Sequence, residues 1–320
     1  MKAPEFWTKG GLISDLLLPL GLVTRALTAA RVRQAGTRIG IPVFCAGNAS
    51  VGGSGKTILA RDLLRRLPGR PFGLTRGYGG SLIGPILVDP DQHSPAEVGD
   101  EALLLAVTAP TILAHDRAAG ATLAQQLGAT SVVMDDGLQN PSLVKNAAFL
   151  VVDGGYGFGN GRLLPAGPLR EPVAAAASRC AAAVVIGEDK FNVAGQLPGG
   201  LPLLHARLTP ACGNLAAGAR VIPFAGIGRP EKFFDSAAEL GLVIAAKMAF
   251  ADHHVYTHTD EVILLTAARA HQAQLVTTEK DYVKLPASLR EHCDVITVKL
   301  AWDDEAALAR LIAHYCAARG

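Results

Sequence analysis

Apolar residues occur along the chain in two textures: short continuous runs, and longer stretches with helical spacing. The runs are Ile41 to Ala46, Pro71 to Thr75, Thr111 to Ala114, Thr130 to Met134, Ala148 to Asp153, Ala182 to Gly187, Leu203 to Leu208, Val221 to Ala225, Leu275 to Thr277 and Val295 to Leu300. Each has the length and continuity of a strand buried on both faces. Helical spacing is found at Leu59 to Leu67, Ala102 to Ala109 and Glu305 to Ala318, and the alanine-rich Val173 to Val184 has good helix composition. Strands alternating with helices predict an α/β fold. Its sheet is mostly parallel, with helices on both faces and ligands outside the carboxyl ends of the strands.

Glycine and proline crowd the stretch from Gly154 to Pro172, where no apolar periodicity survives. Such density marks a change of domain. We therefore expect a first domain over residues 1–153 and a second α/β domain over 154–320, with a linker at about 154–172. A chain of 320 residues accommodates two domains of ordinary size.

The first 35 or so residues break the pattern. Phe6, Trp7, Leu12, Ile13, Leu16, Leu17, Leu18, Leu20, Leu22 and Val23 are interleaved with Lys2, Lys9, Arg25, Arg31 and Arg33, and Asp15 and Pro19 interrupt the apolar part. It is too short to span a bilayer, which takes about 20 predominantly apolar residues. Three readings fit: a core helix, a signal peptide with Ala26 to Ala30 as its cleavage site, and an interfacial helix with basic residues at the headgroups. The pair Phe6-Trp7 favours the third, since Trp prefers the membrane–water boundary.

Composition narrows the function. A net charge of +2 with no clustered basic excess gives no reason to expect nucleic acid. The five cysteines are scattered and never form C-x-x-C, so neither a disulfide framework nor a zinc site is indicated. A reducing compartment fits best.

The chemistry begins after the Ile41 to Ala46 run. Ser50-Val51-Gly52-Gly53-Ser54-Gly55-Lys56-Thr57 leads into the helical pattern, giving strand, glycine-rich turn and helix. In such a loop, backbone N–H groups close around phosphate oxygens at the positive end of a helix, the lysine reaches the β- and γ-phosphates, and the next hydroxyl ligates magnesium. Lys56 and Thr57 hold those two positions. Ser50 stands where the pattern G-x-x-x-x-G-K-[ST] has its first glycine. Asp135-Asp136, at the end of a strand run, are the carboxylates a magnesium-binding second motif requires. The glycine-rich turn around Arg76 suits an anion or an ordinary type II turn, and Asp100 reads first as a helix N-cap. Asp252-His253-His254 and Thr277-Thr278-Glu279-Lys280-Asp281 are polar clusters that point, taken alone, to hydrogen-bonded or solvated loops.

The combination resembles the tetraacyldisaccharide 4′-kinase family, the lipid A 4′-kinases of Gram-negative bacteria. The segments that carry the resemblance are Gly47 to Thr57, Arg76-Gly77-Tyr78-Gly79-Gly80, Gly99-Asp100-Glu101-Ala102 and Asp135-Asp136-Gly137-Leu138-Gln139. Leu164 to Glu171, Phe250 to His253 and Thr278 to Asp281 extend it, in the family's order. The resemblance implies two α/β/α sandwich domains joined by a small β-linker. It implies a monotopic enzyme on the cytoplasmic face of the inner membrane that moves the γ-phosphoryl of ATP, with Mg²⁺, to the 4′-hydroxyl of a tetraacylated disaccharide 1-phosphate; no protein partner is implied. By the same carry-over Asp100 pairs with His253 to activate the acceptor hydroxyl, while Arg76, Tyr78, Arg117 and Arg170 grip the substrate. The rival classes fare worse. A dimeric switch ATPase carries an extra lysine early in the loop, a GTPase needs Asn-Lys-x-Asp, and a soluble small-molecule kinase leaves residues 1 to 35 without a purpose.

Overall fold

The computed structural model describes residues 4–213, 215–228, 230–252 and 254–317. Its strands are β1 (Val43–Gly47), β2 (Pro71–Thr75), β3 (Ile86–Leu87), β4 (Thr111–Leu113), β5 (Ser131–Asp135), β6 (Ala147–Asp153), β7 (Ala182–Ile186), β8 (Leu203–Cys212), β9 (Arg220–Ala225), β10 (Val243–Ile244), β11 (Met248–Ala249), β12 (Gln274–Thr278) and β13 (Cys293–Trp302). They form one sheet in the order β10-β9-β12-β13-β8-β7-β6-β1-β5-β2-β4-β3, with β11 also on β9. Pairing is parallel except between β3 and β4 and between β8 and β13. The fold is thus α/β with a mostly parallel sheet, as the alternation of strand and helix patterns requires.

Both faces of the central strands are covered. Phe44, Ala46, Val133, Phe149 and Val151 pack with Leu59 and Leu63 of the Lys56–Arg66 helix, while Val43, Cys45, Val132, Met134, Leu150 and Val152 serve the opposite face. Burial on two sides is why these strands read as unbroken apolar runs. Smaller clusters flank β9, one around Phe233 and Phe234 and the other around Phe224, Tyr256 and Leu264.

Sheet pairing continues past residue 153, since Phe149 to Asp153 of β6 face Ala182 to Ile186 of β7. The antiparallel pair β8 and β13 then connects the strands around β1 with those around β9. The closing helix, Glu305–Ala317, returns to the first group: Leu308 and Ile312 are buried with Leu59 and Leu63. Polar links hold the end of β13 and the start of the helix there. Trp302 donates its indole N–H to Asp62 at 3.0 Å, and Arg66 pairs with Glu305.

Local expectations fail where tertiary contacts outweigh propensity. The alanine-rich stretch is helical only over Val173–Ala177, and its end becomes β7 because Ala182 to Val185 are wholly buried beside β6. Asp100 is not the N-cap: Gly99 is, at φ 82°, and Asp100 opens the Asp100–Ala106 helix. β8 outruns its apolar segment because Arg207 to Thr209 lie exposed on the ribbon.

The first residues form short helices Phe6–Lys9 and Leu12–Leu16 and a longer one, Leu18–Val32. Three of their hydroxyl side chains turn inward. Ser14 is fully buried and donates to the Ala166 carbonyl at 2.5 Å, Thr24 to Leu164 at 2.6 Å and Thr28 to Arg170 at 3.1 Å. Trp7 is half-buried and donates its indole N–H to the Pro165 carbonyl at 3.0 Å. The outward face is apolar, with Leu12 83%, Leu16 79% and Leu27 68% exposed. Among the described residues no helix is long and apolar enough to cross a membrane.

Candidate active site

The ends of β1 and β5 set the geometry. β1 stops at Gly47 against the loop after β5; a Cβ there would lie 2.5 Å from that of Leu138, so only glycine permits the approach. Residues 48 to 55 then arch over to the Lys56–Arg66 helix, whose N-cap Gly55 takes φ 90°, a left-handed conformation that favours glycine. Ser50 needs no such freedom: it makes an antiparallel bridge to Leu169, and the non-glycine residues described with positive φ are Asp136, Asn192 and Gln272. That accounts for a serine at the pattern's first glycine position.

The loop is braced from outside. Val51 N–H donates to Pro168 at 2.8 Å, Arg170 N–H to Ala49 at 2.7 Å, and the Asn48 amide to the Ser54 hydroxyl at 3.0 Å. Gln139 donates to the Asn48 carbonyl at 2.8 Å and to Glu171 at 2.9 Å, and Glu171 is held by Arg179 through two bonds. These contacts leave Gly52 and Gly53 with open space around their Cα atoms.

The two acidic residues at the end of β5 divide their contacts. The Thr57 hydroxyl donates to Asp135 Oδ2 at 2.7 Å, while Asp135 Oδ1 is buried with no hydrogen-bond partner. Asp136, at φ 52°, turns back so that Arg170 clasps its carboxylate with bonds of 2.9 and 3.1 Å and the Lys56 ammonium lies 3.7 Å away. Their titration separates accordingly. Burial, then the nearby Glu101 carboxylate, pushes Asp135 up to about 7. Burial acts on Asp136 in the same sense, but Lys56 and Arg170 together outweigh it and hold that carboxyl below its usual range.

Asp100 is buried at the first turn of its helix, where Oδ1 accepts the Glu101 N–H at 3.0 Å and Oδ2 lies 3.5 Å from the Lys280 ammonium. His253 lies outside the described residues. The loop that carries it is anchored near Gly226, where an added Cβ would sit 3.0 Å from the Ala251 carbonyl and 3.1 Å from Asp281. His254 stacks on Phe250 with ring centroids 4.8 Å apart and bonds to Asp260 at 3.1 Å. Arg76 and Tyr78 are exposed beside the site. Arg117 is buried, donates to the Ala114 carbonyl, and is drawn down to about 10 by burial and by the Arg76 guanidinium. Ser50 to Thr57, Asp135, Asp136 and Arg170 therefore meet at one point, with Asp100 approached from the opposite half by Lys280.

Sequence reasoning missed roles for Gln139, Glu171, Lys280 and Arg61. The first two stood inside quoted motifs. Lys280 stood in a polar cluster that looked solvated, and Arg61 had no signal beyond its place on the helix after the loop.

Comparison with known proteins bears on the fold and the family. A solved structure described as LpxK from Aquifex aeolicus in complex with ATP superposes with a TM-score of 0.78 at 26% identity, covering 95% of this chain and 100% of that one. The tetraacyldisaccharide 4′-kinase of Rhodospirillum rubrum is 50% identical over 323 residues, 98% of this chain and 97% of its own. That of Gluconacetobacter diazotrophicus is 49% identical over 318 residues, with 98% and 97% covered. The model of the family LpxK, tetraacyldisaccharide-1-P 4′-kinase, matches residues 13–317, and with nearly the whole length accounted for, the chain belongs to that family.

Proposed function

We propose that this chain transfers the γ-phosphoryl group of ATP to the 4′-hydroxyl of a tetraacylated glucosamine disaccharide 1-phosphate, working from the cytoplasmic face of a bacterial inner membrane. The observation that carries the reading is the meeting of the Ser50 to Thr57 loop with Asp135, Asp136 and Arg170. It supplies a phosphate cradle, a metal-binding edge and a cation in one place.

The donor set suits magnesium. Thr57 and Asp135 present hard oxygen ligands, and the buried, unpartnered Oδ1 of Asp135 is a lone pair with nothing in the protein to satisfy it. Among the described residues no cluster of three His, Cys, Asp or Glu ligands occurs, which fits magnesium held by one or two carboxylates with phosphate and water completing its shell. When bound beside Thr57, Asp135 and Asp136, the ion would neutralise charge on the β- and γ-phosphates.

The remaining steps belong to side chains. Lys56 leaves Asp136 for the phosphates as nucleotide enters, and Arg170 keeps Asp136 in place while it does so. The 4′-oxygen bonds to the γ-phosphorus, the bond from phosphorus to the bridging oxygen breaks, and ADP departs. Asp100 and His253 take the hydroxyl proton, a contribution of about 10² to 10⁴, while charge neutralisation supplies the larger share. Arg76, Tyr78, Arg117 and Arg170 hold the glycolipid. The same proposal keeps residues 1–153 as the phosphate-loop domain, which also carries Asp100, Arg76, Tyr78 and Arg117, and 154–320 as the second domain, which carries His253, with 154–172 as linker.

An acylated substrate stays in the bilayer, since each buried CH₂ is worth about 0.8 kcal/mol. The outward apolar face of residues 12 to 27, rimmed by exposed Lys9, Arg25, Arg31 and Arg33, supports interfacial seating of the enzyme. Labelled ATP offered with the disaccharide 1-phosphate in mixed micelles is expected to give a bisphosphorylated glycolipid. Release of phosphate to water with no labelled lipid would overturn the reading.

A further inference from the structure

Two ion pairs fix the segment Thr278 to Asp281 on either side of Lys280. On one side Arg61, on the helix that begins at Lys56, clasps Glu279 with bonds of 2.9 and 2.6 Å and donates its Nε to Thr108 at 2.9 Å. Both partners of that clasp are largely buried, with side chains 7% and 19% exposed. On the other side the fully buried Asp281 accepts the Gly226 N–H at 3.0 Å and the Thr278 hydroxyl at 2.8 Å, and pairs with Lys284 at 2.7 Å. Between these anchors the Lys280 ammonium is delivered to within 3.5 Å of Asp100 Oδ2.

Its destination is crowded with negative charge. Glu101 is raised by burial and by Asp100, with Lys280 and Lys56 opposing, and Asp136 acts on it from across the site. Lys56 and Arg170 face Asp136, and Lys280 is a cation set against Asp100. Buried ion pairs return little stability for the desolvation they cost, and a lysine stem is flexible. Two such pairs flanking one lysine are therefore better explained by the placement of its charge than by stability.

We propose that Lys280 is a positioning residue of the phosphotransfer site, acting through Asp100: it fixes the orientation of that carboxylate and offsets its charge, and the Arg61–Glu279 clasp aims it. The inference deepens the kinase reading and rests on it. Because Arg61 lies on the helix that carries Lys56 and Thr57, the clasp also ties the acceptor-side base to the nucleotide-binding element.

The test is a double-mutant cycle on the full chain, with ATP and the disaccharide 1-phosphate saturating in mixed micelles and thermal unfolding followed in parallel. Lys280→Met is expected to lower kcat about 10- to 100-fold, as loss of an orienting partner does, with the KM for ATP unchanged. Lys280→Arg recovers most of the loss, and Lys280→Met/Asp100→Asn is no slower than Asp100→Asn. Glu279→Gln shows a smaller loss with the same KM pattern. Wild-type kcat in Lys280→Met beside a crippled Asp100→Asn overturns the role of Lys280, as do losses that multiply, or a lower melting temperature with kcat intact. An inactive wild type, or an unimpaired Asp100→Asn, overturns instead the activity or the role of Asp100, and the proposal with it.

Discussion

The Thr57 hydroxyl lies 2.7 Å from Oδ2 of Asp135, while the other oxygen of that carboxylate is buried without a partner. Asp135 is pushed up to about 7, first by burial and then by Glu101, so it is protonated below that pH and ionised above it. A metal ligand must be deprotonated. Magnesium–nucleotide affinity should therefore fall by up to about tenfold per unit as pH drops below 7 and level off above it. Calorimetric titrations about one unit to either side of 7, each in two buffers of different ionisation enthalpy, measure both the affinity and the proton released. A flat profile with no proton release would contradict the assignment.

Lys56 lies 3.7 Å from Asp136, and Asp136 keeps its three bonds to Arg170 without it. Lys56→Ala should leave the melting temperature unchanged while lowering kcat by at least about 10² to 10³, the usual cost of removing one preorganised electrostatic contact. Turnover near the wild-type rate would refute the nucleotide-loop assignment.

Leu12, Leu16 and Leu27 point into solvent. If they enter a lipid surface, each contributes about 1.5 to 3 kcal/mol. Replacing all three with serine should weaken binding to phospholipid vesicles by about a thousandfold or more without lowering the melting temperature. Cosedimentation with vesicles reads the first effect and calorimetry the second. Undiminished sedimentation would move the membrane contact elsewhere.

Asp100→Ala and His253→Ala should each lower kcat about 10² to 10⁴, with the double variant little slower than either single, since groups acting as a unit are non-additive. His254→Ala serves as the contrast. Its ring packs on Phe250 and bonds to Asp260, so its loss should cost about 1 kcal/mol of stability and leave kcat near normal. Losses at Asp100 and His253 that multiply would separate the two residues.

The nucleotide-binding element was legible in the sequence because its chemistry is local. Strand, glycine turn, Lys56-Thr57 and helix follow one another within a few residues, and each has a backbone or ligand requirement that restricts residue type. The central strands were legible for a related reason, since burial on both faces leaves apolar runs such as Phe44 to Ala46 and Phe149 to Val152 with no polar position. Asp100 was found but misread as a cap, because an acidic residue at a helix start looks the same one position to either side; the backbone conformation of Gly99 decides between them.

Other features arose only from the tertiary structure. The inward polar face of the first helices is invisible in sequence, since Ser14, Thr24 and Thr28 find their partners in carbonyls more than a hundred residues away. Past Ala206, β8 has no buried residue, so burial leaves no apolar run to mark where that strand ends. Arg61 and Glu279 are separated by 218 residues, and neither residue alone differs from a solvated surface charge. Periodicity records which side of an element faces the core, and motifs record contacts within one turn of chain. Ion pairs between distant elements leave no such trace, so the aim of Lys280 at Asp100 exists only once the sheet has brought both halves together.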